Sequence, residues 1–240
     1  MSNNSISQRV HDQLGQIIAL TSSGKRLPSE PNLAKQFGVS RATLREAMRT
    51  FETQGILLRR QGSGTYVNHT LQVIESGLEV LESIETMAKR IGLSVQPKAL
   101  SIERRAAEEE EYQSLNLDPG TEITCVTRVM QAKDHPVAYL IDALPLDVLS
   151  PEDLRAGFSG SVLDLLIQRG APSLFGSRAE IVAVNAQPQI AKALCIQRGD
   201  VLLCFVSDLF SKAGRVIDHS HSFFLPGIFR FHVVRRIEQI

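Results

Sequence analysis

Ser40, Arg41, Thr43, Arg45 and Arg49 fall within the ten-residue run SRATLREAMR. Those residue types suit a nucleic-acid contact. A guanidinium can fork onto guanine, serine and threonine hydroxyls can meet base edges or phosphates, and a helix N-terminus attracts phosphate. Taken alone, arginines on an amphipathic helix more often mark a solvated face. A second set could hold a small molecule. Arg128 stands in the middle of the otherwise uncharged stretch ITCVTRVM, where a poorly solvated guanidinium needs an anionic partner. That partner is either a ligand carboxylate or phosphate, or an internal carboxylate, Asp142 or Asp218. Ser161 opens the helical stretch SVLDLLIQRG and can act as a cap, an anion contact or both. Asp142 and Asp218 can accept hydroxyls or an ammonium group. Ser220 and Phe224 complete the candidate effector set. A third set, Asp218-His219-Ser220-His221, invites a metal reading. Here we expect a strand that sends the two imidazoles to opposite faces, so no metal site is expected, and no cofactor. The carboxylate run Glu108 to Glu111 reads as a solvated helix start.

Three helices must position the first set. Ile6, Val10, Leu14, Ile17 and Ile18 recur at helical spacing, which predicts a helix over about residues 7–20. Gly24 and Pro28 break the pattern. Ser29 then precedes a short helix, EPNLAKQF, with Pro31 tolerated in its first turn and Gly38 as its stop. Ser40 can cap a third helix, in which Leu44, Ala47, Met48 and Phe51 form the buried stripe and the arginines lie outside it. Two short helices joined by a tight turn make a helix-turn-helix. ILLRR and GTYV follow as strands around QGSG, a wing with Gln61, Gly62 and Ser63 at its tip and Arg59 and Arg60 beside it.

The bulk composition fits that division. The 240 residues are 43% hydrophobic and 22% charged, enough to bury a core and too apolar for a disordered chain. No stretch approaches the roughly 20 apolar residues of a membrane span. The three cysteines lack CxxC spacing and sit in apolar runs, so we expect buried free thiols and a cytoplasmic location. The net charge of zero hides an asymmetry. Residues 1–68 hold nine Lys/Arg against four Asp/Glu, leaving 17 against 22 for the rest. A basic module on an acidic body presents one end to a polyanion.

Residues 69–89 read as linker and helix, with Leu78, Val80, Leu81, Ile84, Met87 and Ile91 as a helical stripe ending at Gly92. Residues 90–240 contain an internal echo. At an offset of 79 residues, Leu115, Gly120, Cys125, Lys133 and Val137 match Leu194, Gly199, Cys204, Lys212 and Val216. Each copy reads as a helix, a glycine turn, a strand, a tight turn and a returning strand. Two such units predict an antiparallel sheet with helices on a face, an α+β domain with a ligand pocket between its halves.

LPSEPNLAKQFGVSRATLREAMRTFETQGILLRRQGSGTYV resembles the winged helix-turn-helix of the GntR family of bacterial transcription regulators. The later stretches GTEI, HPVAYLIDALP, GFSGSVLDLL, AEIVAVNA, LCIQRGDVLL and VIDHSHSFFLPGIFRFHV resemble the UTRA effector-sensing domain of its HutC branch, whose fold is related to chorismate lyase. By this resemblance Ser40, Arg41, Thr43 and Arg45 meet the major groove and Gln61, Gly62 and Ser63 lie at or over the minor groove. The family often has Arg where Pro31 stands. It also has a second Arg and a Glu where Met130 and Leu140 stand, so the usual sugar-phosphate contacts lack two partners here. The resemblance implies a homodimeric regulator, most often a repressor, that binds a palindromic operator in double-stranded DNA. A small, anionic effector would shift the spacing of its heads. A constitutive DNA-binding dimer with an inert second domain, and a lyase-like second domain, are the alternatives. No nucleophile–base pair or phosphate loop supports an enzyme, and no catalytic residue is expected.

Overall fold

The structure is a computed structural model and describes residues 3–53, 56–60, 63–67, 74–155, 158 and 160–234. It divides into two compact units, Met1–Val73 with Leu225–Ile228, and Ile74–Phe224 with Phe229–Ile240.

The first unit contains α1 (Asn3–Leu20), α2 (Glu30–Phe37), α3 (Arg41–Thr53), β1 (Leu57–Arg60) and β2 (Gly64–Val67). Val10, Leu14 and Ile18 on α1 meet Leu33 and Phe37 on α2 and Leu44, Ala47, Met48 and Phe51 on α3 in one core. The helical period puts these residues on facing stripes, and burying each large apolar side chain contributes about 1.5–3 kcal/mol. Ile6, expected in the stripe, is exposed, because the core ends one turn after it. Pro31 sits in the first turn of α2, and Gly38 closes the helix in the left-handed region at φ 65°. Ser29 takes the N-cap position with extended backbone but makes no side-chain cap. β1 and β2 pair antiparallel, with Arg60 opposite Gly64.

The second unit opens with β3 (Ile74–Gly77) and α4 (Ile84–Arg90). The helical stripe expected from Leu78 is therefore split. Leu78, Val80 and Leu81 are exposed, and the helix begins only after Ser83, whose hydroxyl accepts from the Thr86 N–H at 3.1 Å. Ile74–Gly77 pair in parallel with β10 (Phe229–His232), and the Leu78 N–H donates to the His232 carbonyl at 2.9 Å, so extended backbone runs into the start of the expected stripe.

The main sheet is six-stranded, and its strands come from β4 (Val95–Ala106), β5 (Glu122–Ala132), β6 (His135–Pro145), β7 (Leu174–Asn185), β8 (Val201–Ser211) and β9 (Val216–Phe224). Their order is β4-β5-β6-β9-β8-β7, with every neighbour antiparallel. The 79-residue echo extends beyond the stretches that show it in sequence. β4 and β7 obey the same offset, as do β5 and β8. So do the left-handed residues Asn116 and Cys195, the glycines Gly120 and Gly199, and the bulges at Met130/Gln131 and Leu209/Phe210. The two copies meet where β6 pairs with β9.

Short helices fill the connections: α5 (Glu109–Ser114), α6 (Pro151–Arg155), α7 (Val162–Arg169) and α8 (Pro188–Leu194). They cover both faces rather than one. Val126, Leu144 and Leu209 pack with α6 and α7, whereas Ala143 packs on the opposite face with Leu115, just after α5. Alternation along each strand gives every strand two apolar-capable faces, so both need covers. Cys125 and Cys204 are buried, but Cys195 is exposed, because it occupies the left-handed C-cap turn that ends α8.

Candidate DNA interface and effector cavity

On α3, the Ser40 hydroxyl accepts from the Thr43 N–H at 3.1 Å and shares a 2.9 Å hydrogen bond with the Thr43 hydroxyl. That capping fixes the helix start from which Arg41 projects, exposed. Arg45 Nε donates to Glu30 Oε2 at 2.7 Å, and Arg59 Nη2 donates to Glu30 Oε1 at 2.5 Å. One carboxylate at the start of α2 thus holds an α3 arginine and a wing arginine together. Glu30 was missed in the sequence, where it reads only as part of a helix start. Arg49 is half-buried. Ser63 is hydrogen-bonded to the Tyr66 hydroxyl at 2.7 Å. Gln61 and Gly62 lie outside the described residues. At Gly64, with φ 119°, a Cβ would stand 2.4 Å from Arg26 Nε, so the Arg26 side chain packs against the hairpin backbone there.

The second unit contains a cavity of about 540 Å³ on the face of the sheet that carries α4 and α7. Arg128, Asp142, Ser161, Asp218, Ser220 and Phe224 all line it. They come from β5, β6, β9 and the start of α7. Asp142 and Ser220 are direct partners in the β6–β9 ladder, and Asp218 and Ser220 share a face because they are two residues apart. The Ser161 hydroxyl accepts from the Asp164 N–H at 3.0 Å and so caps α7. Leu140 lines the same cavity.

Arg128 is buried and finds its anion inside the protein. Its Nη2 donates to Asp142 and its Nη1 to the Gly160 carbonyl. Burial pushes the Asp218 carboxyl well above the usual aspartate range, and the neighbouring Asp142 charge pushes it further. Burial also raises Asp142, against the opposing pull of Arg128. Glu85 on α4, absent from the sequence-based set, lines the cavity too, and desolvation raises its carboxyl. Three buried polar atoms at this cavity lack a hydrogen-bond partner among the described residues: Glu85 Oε1, Arg128 Nε and Asp218 Oδ1. Such atoms cost roughly 1–3 kcal/mol each when left unmet. Nothing in the local sequence around Glu85 distinguishes it from a surface glutamate. Only the fold of α4 over the sheet brings it in.

The opposite face of β9 overturns the expectation for the histidines. His219 and His221 share a face, with ring centroids 5.3 Å apart. Strand side chains alternate with period two, so residues two apart point the same way. The acidic run is not uniformly solvated either. Glu111 is buried and takes two hydrogen bonds of 2.6 Å from Arg105, while Glu110 faces the histidines.

Residues 6–67 match the family described as bacterial regulatory proteins, gntR family, and residues 90–230, more than half of the chain, match the UTRA domain. The chain belongs to the GntR family. It is a ligand-responsive, DNA-binding transcription regulator of the UTRA-bearing HutC type. This GntR regulator is 27% identical over 212 residues to the HTH-type transcriptional repressor NagR of Bacillus subtilis, covering 88% of this chain and 86% of that protein. It is 26% identical over 235 residues to the mannosyl-D-glycerate transport/metabolism system repressor MngR of Escherichia coli, covering 95% and 93%. The crystal structure of PhnF from Mycobacterium smegmatis shares its fold, with a TM-score of 0.62 at 23% identity over 95% of this chain and all of that one. No helix is long and apolar enough to cross a membrane.

Proposed function

We propose that the chain is a homodimeric transcriptional repressor that binds a palindromic operator through Ser40, Arg41, Thr43, Arg45 and Arg49, with Gln61, Gly62 and Ser63 at the wing tip. The UTRA cavity binds a small, hydroxyl-bearing metabolite with one anionic group, and its occupancy alters operator affinity. The supporting observation is the trio of unmet buried atoms at one cavity. Arg128 Nε and the N-terminus of α7 suit the anionic group. Asp218 and Glu85, whose carboxyls burial holds toward the protonated form, suit hydroxyls as donors and acceptors. The named relatives agree in class, since MngR is described by mannosyl-D-glycerate and another relative by fructoselysine utilisation, both hydroxyl-rich compounds carrying a carboxylate. The chain acts in the cytoplasm and is not an enzyme. The cavity residues form a recognition set, with no nucleophile activated by a neighbouring base.

A panel of sugar acids, glycosides, amino-acid conjugates and sugar phosphates, screened by thermal shift on the purified chain, tests this reading. An effector at 100 times its Kd adds about 2.7 kcal/mol of stability. The same compound should change operator affinity in fluorescence anisotropy, and light scattering should give the dimer mass. A compound that stabilises the chain without changing DNA affinity would sink the regulatory coupling.

A further inference from the structure

A further unmet buried atom lies on the other face of the sheet. His219 is 5% exposed, and its Nε2 has no hydrogen-bond partner among the described residues. Its Nδ1–H donates to Asp208 Oδ1 at 2.8 Å, which fixes the tautomer and leaves the Nε2 lone pair free. Asp208 is itself held by Ser114 and by Arg178 at 3.0 Å. His221 Nε2 lies 3.5 Å from Glu110 Oε1, and His219 Nε2 lies 3.7 Å from the same oxygen. One donor atom from each of the three residues falls within 4.8 Å of the others.

Those distances suit one chemistry. Two ligands about 2.0–2.1 Å from a tetrahedral zinc ion stand roughly 3.4 Å apart. The two glutamate–histidine edges are already near that value, and the third, between the two histidines and within 4.8 Å, closes with a movement of the half-buried His221 side chain. A carboxylate on the Nδ1 side of a ligating histidine is the usual support that orients the ring and raises its basicity. Two imidazoles and one carboxylate favour zinc over calcium or magnesium, which take oxygen sets.

We propose that Glu110, His219 and His221 bind one divalent transition-metal ion, zinc by donor type, with Asp208 as the positioning residue and the fourth position taken by water. The ion ties α5 to the central strand β9, on the face opposite the effector cavity. It is a separate site from that cavity and shares no residue with it.

The test uses the untagged, full-length chain, stripped with chelator and dialysed against zinc, with cobalt(II) as a spectroscopic probe. One zinc per chain is expected, with a cobalt spectrum of tetrahedral intensity. Glu110→Gln and His221→Ala, both at the accessible edge, should each weaken zinc binding at least about tenfold. Asp208→Asn should weaken it by roughly 10–100-fold, as loss of a supporting carboxylate does. Circular dichroism checks that each variant is folded, and His219→Ala is avoided because that ring is buried. Cys195→Ser, at the exposed thiol, should leave binding unchanged. Failure to take up stoichiometric zinc would overturn the proposal, as would binding that survives in His221→Ala and Glu110→Gln but is lost in Cys195→Ser.

Discussion

The hydroxyl of Ser83 donates to the carboxylate of Asp164 at 2.7 Å, across 81 residues of chain. Ser83 caps α4, and Asp164 lies in the first turn of α7, itself capped by Ser161. The two helix starts therefore lock to each other above the cavity, one from each copy of the repeat. Removing Ser83 deletes a cap and strips a partner from a carboxylate. Ser83→Ala should lower unfolding free energy by roughly 1–3 kcal/mol, and Ser161→Ala, which removes a cap alone, by about 1 kcal/mol. Urea denaturation measures both. A smaller loss for Ser83→Ala than for Ser161→Ala would show that the Ser83–Asp164 bond contributes nothing.

Asp142 and Arg128 are each buried, so either one alone is worse than neither. Asp142→Asn leaves an unpaired guanidinium in the core and should cost about 3–5 kcal/mol. Replacing both, as Arg128→Met with Asp142→Leu, should restore most of that loss while leaving the cavity without its cation. A double variant as unstable as the single one would mean that the pair holds the sheet together and is not a polar feature retained for binding.

The helix-turn-helix was legible because its signals are local: a cap, a glycine stop and a periodic stripe of Leu44, Ala47, Met48 and Phe51. The repeat was legible only in its inner strands. β4 and β7 obey the same offset, but they are edge strands with few buried positions, and so few residue types there are constrained. All six residues proposed for the effector set line one cavity; Arg128 stood out as a charge in an apolar strand, Asp142 and Asp218 as carboxylates on returning strands, and Ser161 as a helix start. Glu85 did not stand out, because its burial comes from α4 folding over a distant sheet. His219 and His221 differ from expectation for another reason: strand side chains alternate with period two, so residues two apart share a face. Glu110 adds what no local reading supplies, a ligand over 100 residues away in sequence.

Glu85 should leave a mark on the pH dependence of stability. Its carboxyl is raised above its ordinary value of 4.5, chiefly by desolvation. The folded state then keeps its proton to higher pH than the unfolded state does. The resulting stabilisation is complete below about pH 4.5 and is lost as pH rises through the folded value. Glu85→Gln removes this slope. The difference in unfolding free energy between wild type and variant should therefore fall as pH climbs from about 4.5, and a flat difference would show that Glu85 is fully hydrated.

Arg41 projects from the fixed start of α3. If it reads a base edge, Arg41→Ala should lose about 1–3 kcal/mol of operator affinity while non-specific DNA binding changes little. An equal loss on both DNAs would reassign Arg41 to phosphate.

Glu30 governs two further arginines. Its carboxylate holds Arg45 at 2.7 Å and Arg59 at 2.5 Å, so if either arginine contacts DNA as proposed, it must exchange that carboxylate for a phosphate or base. These pairs are partly exposed, so each is weak on its own, but together they set the spacing between α3 and the wing. Glu30→Gln removes the negative charge that holds both guanidiniums and keeps a side chain of the same size that can still accept a hydrogen bond. Non-specific binding should then tighten, and the slope of log affinity against log salt should steepen by up to about 0.9 for each phosphate gained. Operator affinity should gain less, because the released side chains must be ordered again. The ratio of specific to non-specific affinity should therefore fall, which anisotropy at two salt concentrations measures directly. An unchanged ratio and slope would mean that both arginines leave Glu30 at no cost, and that Glu30 serves α2 rather than the interface.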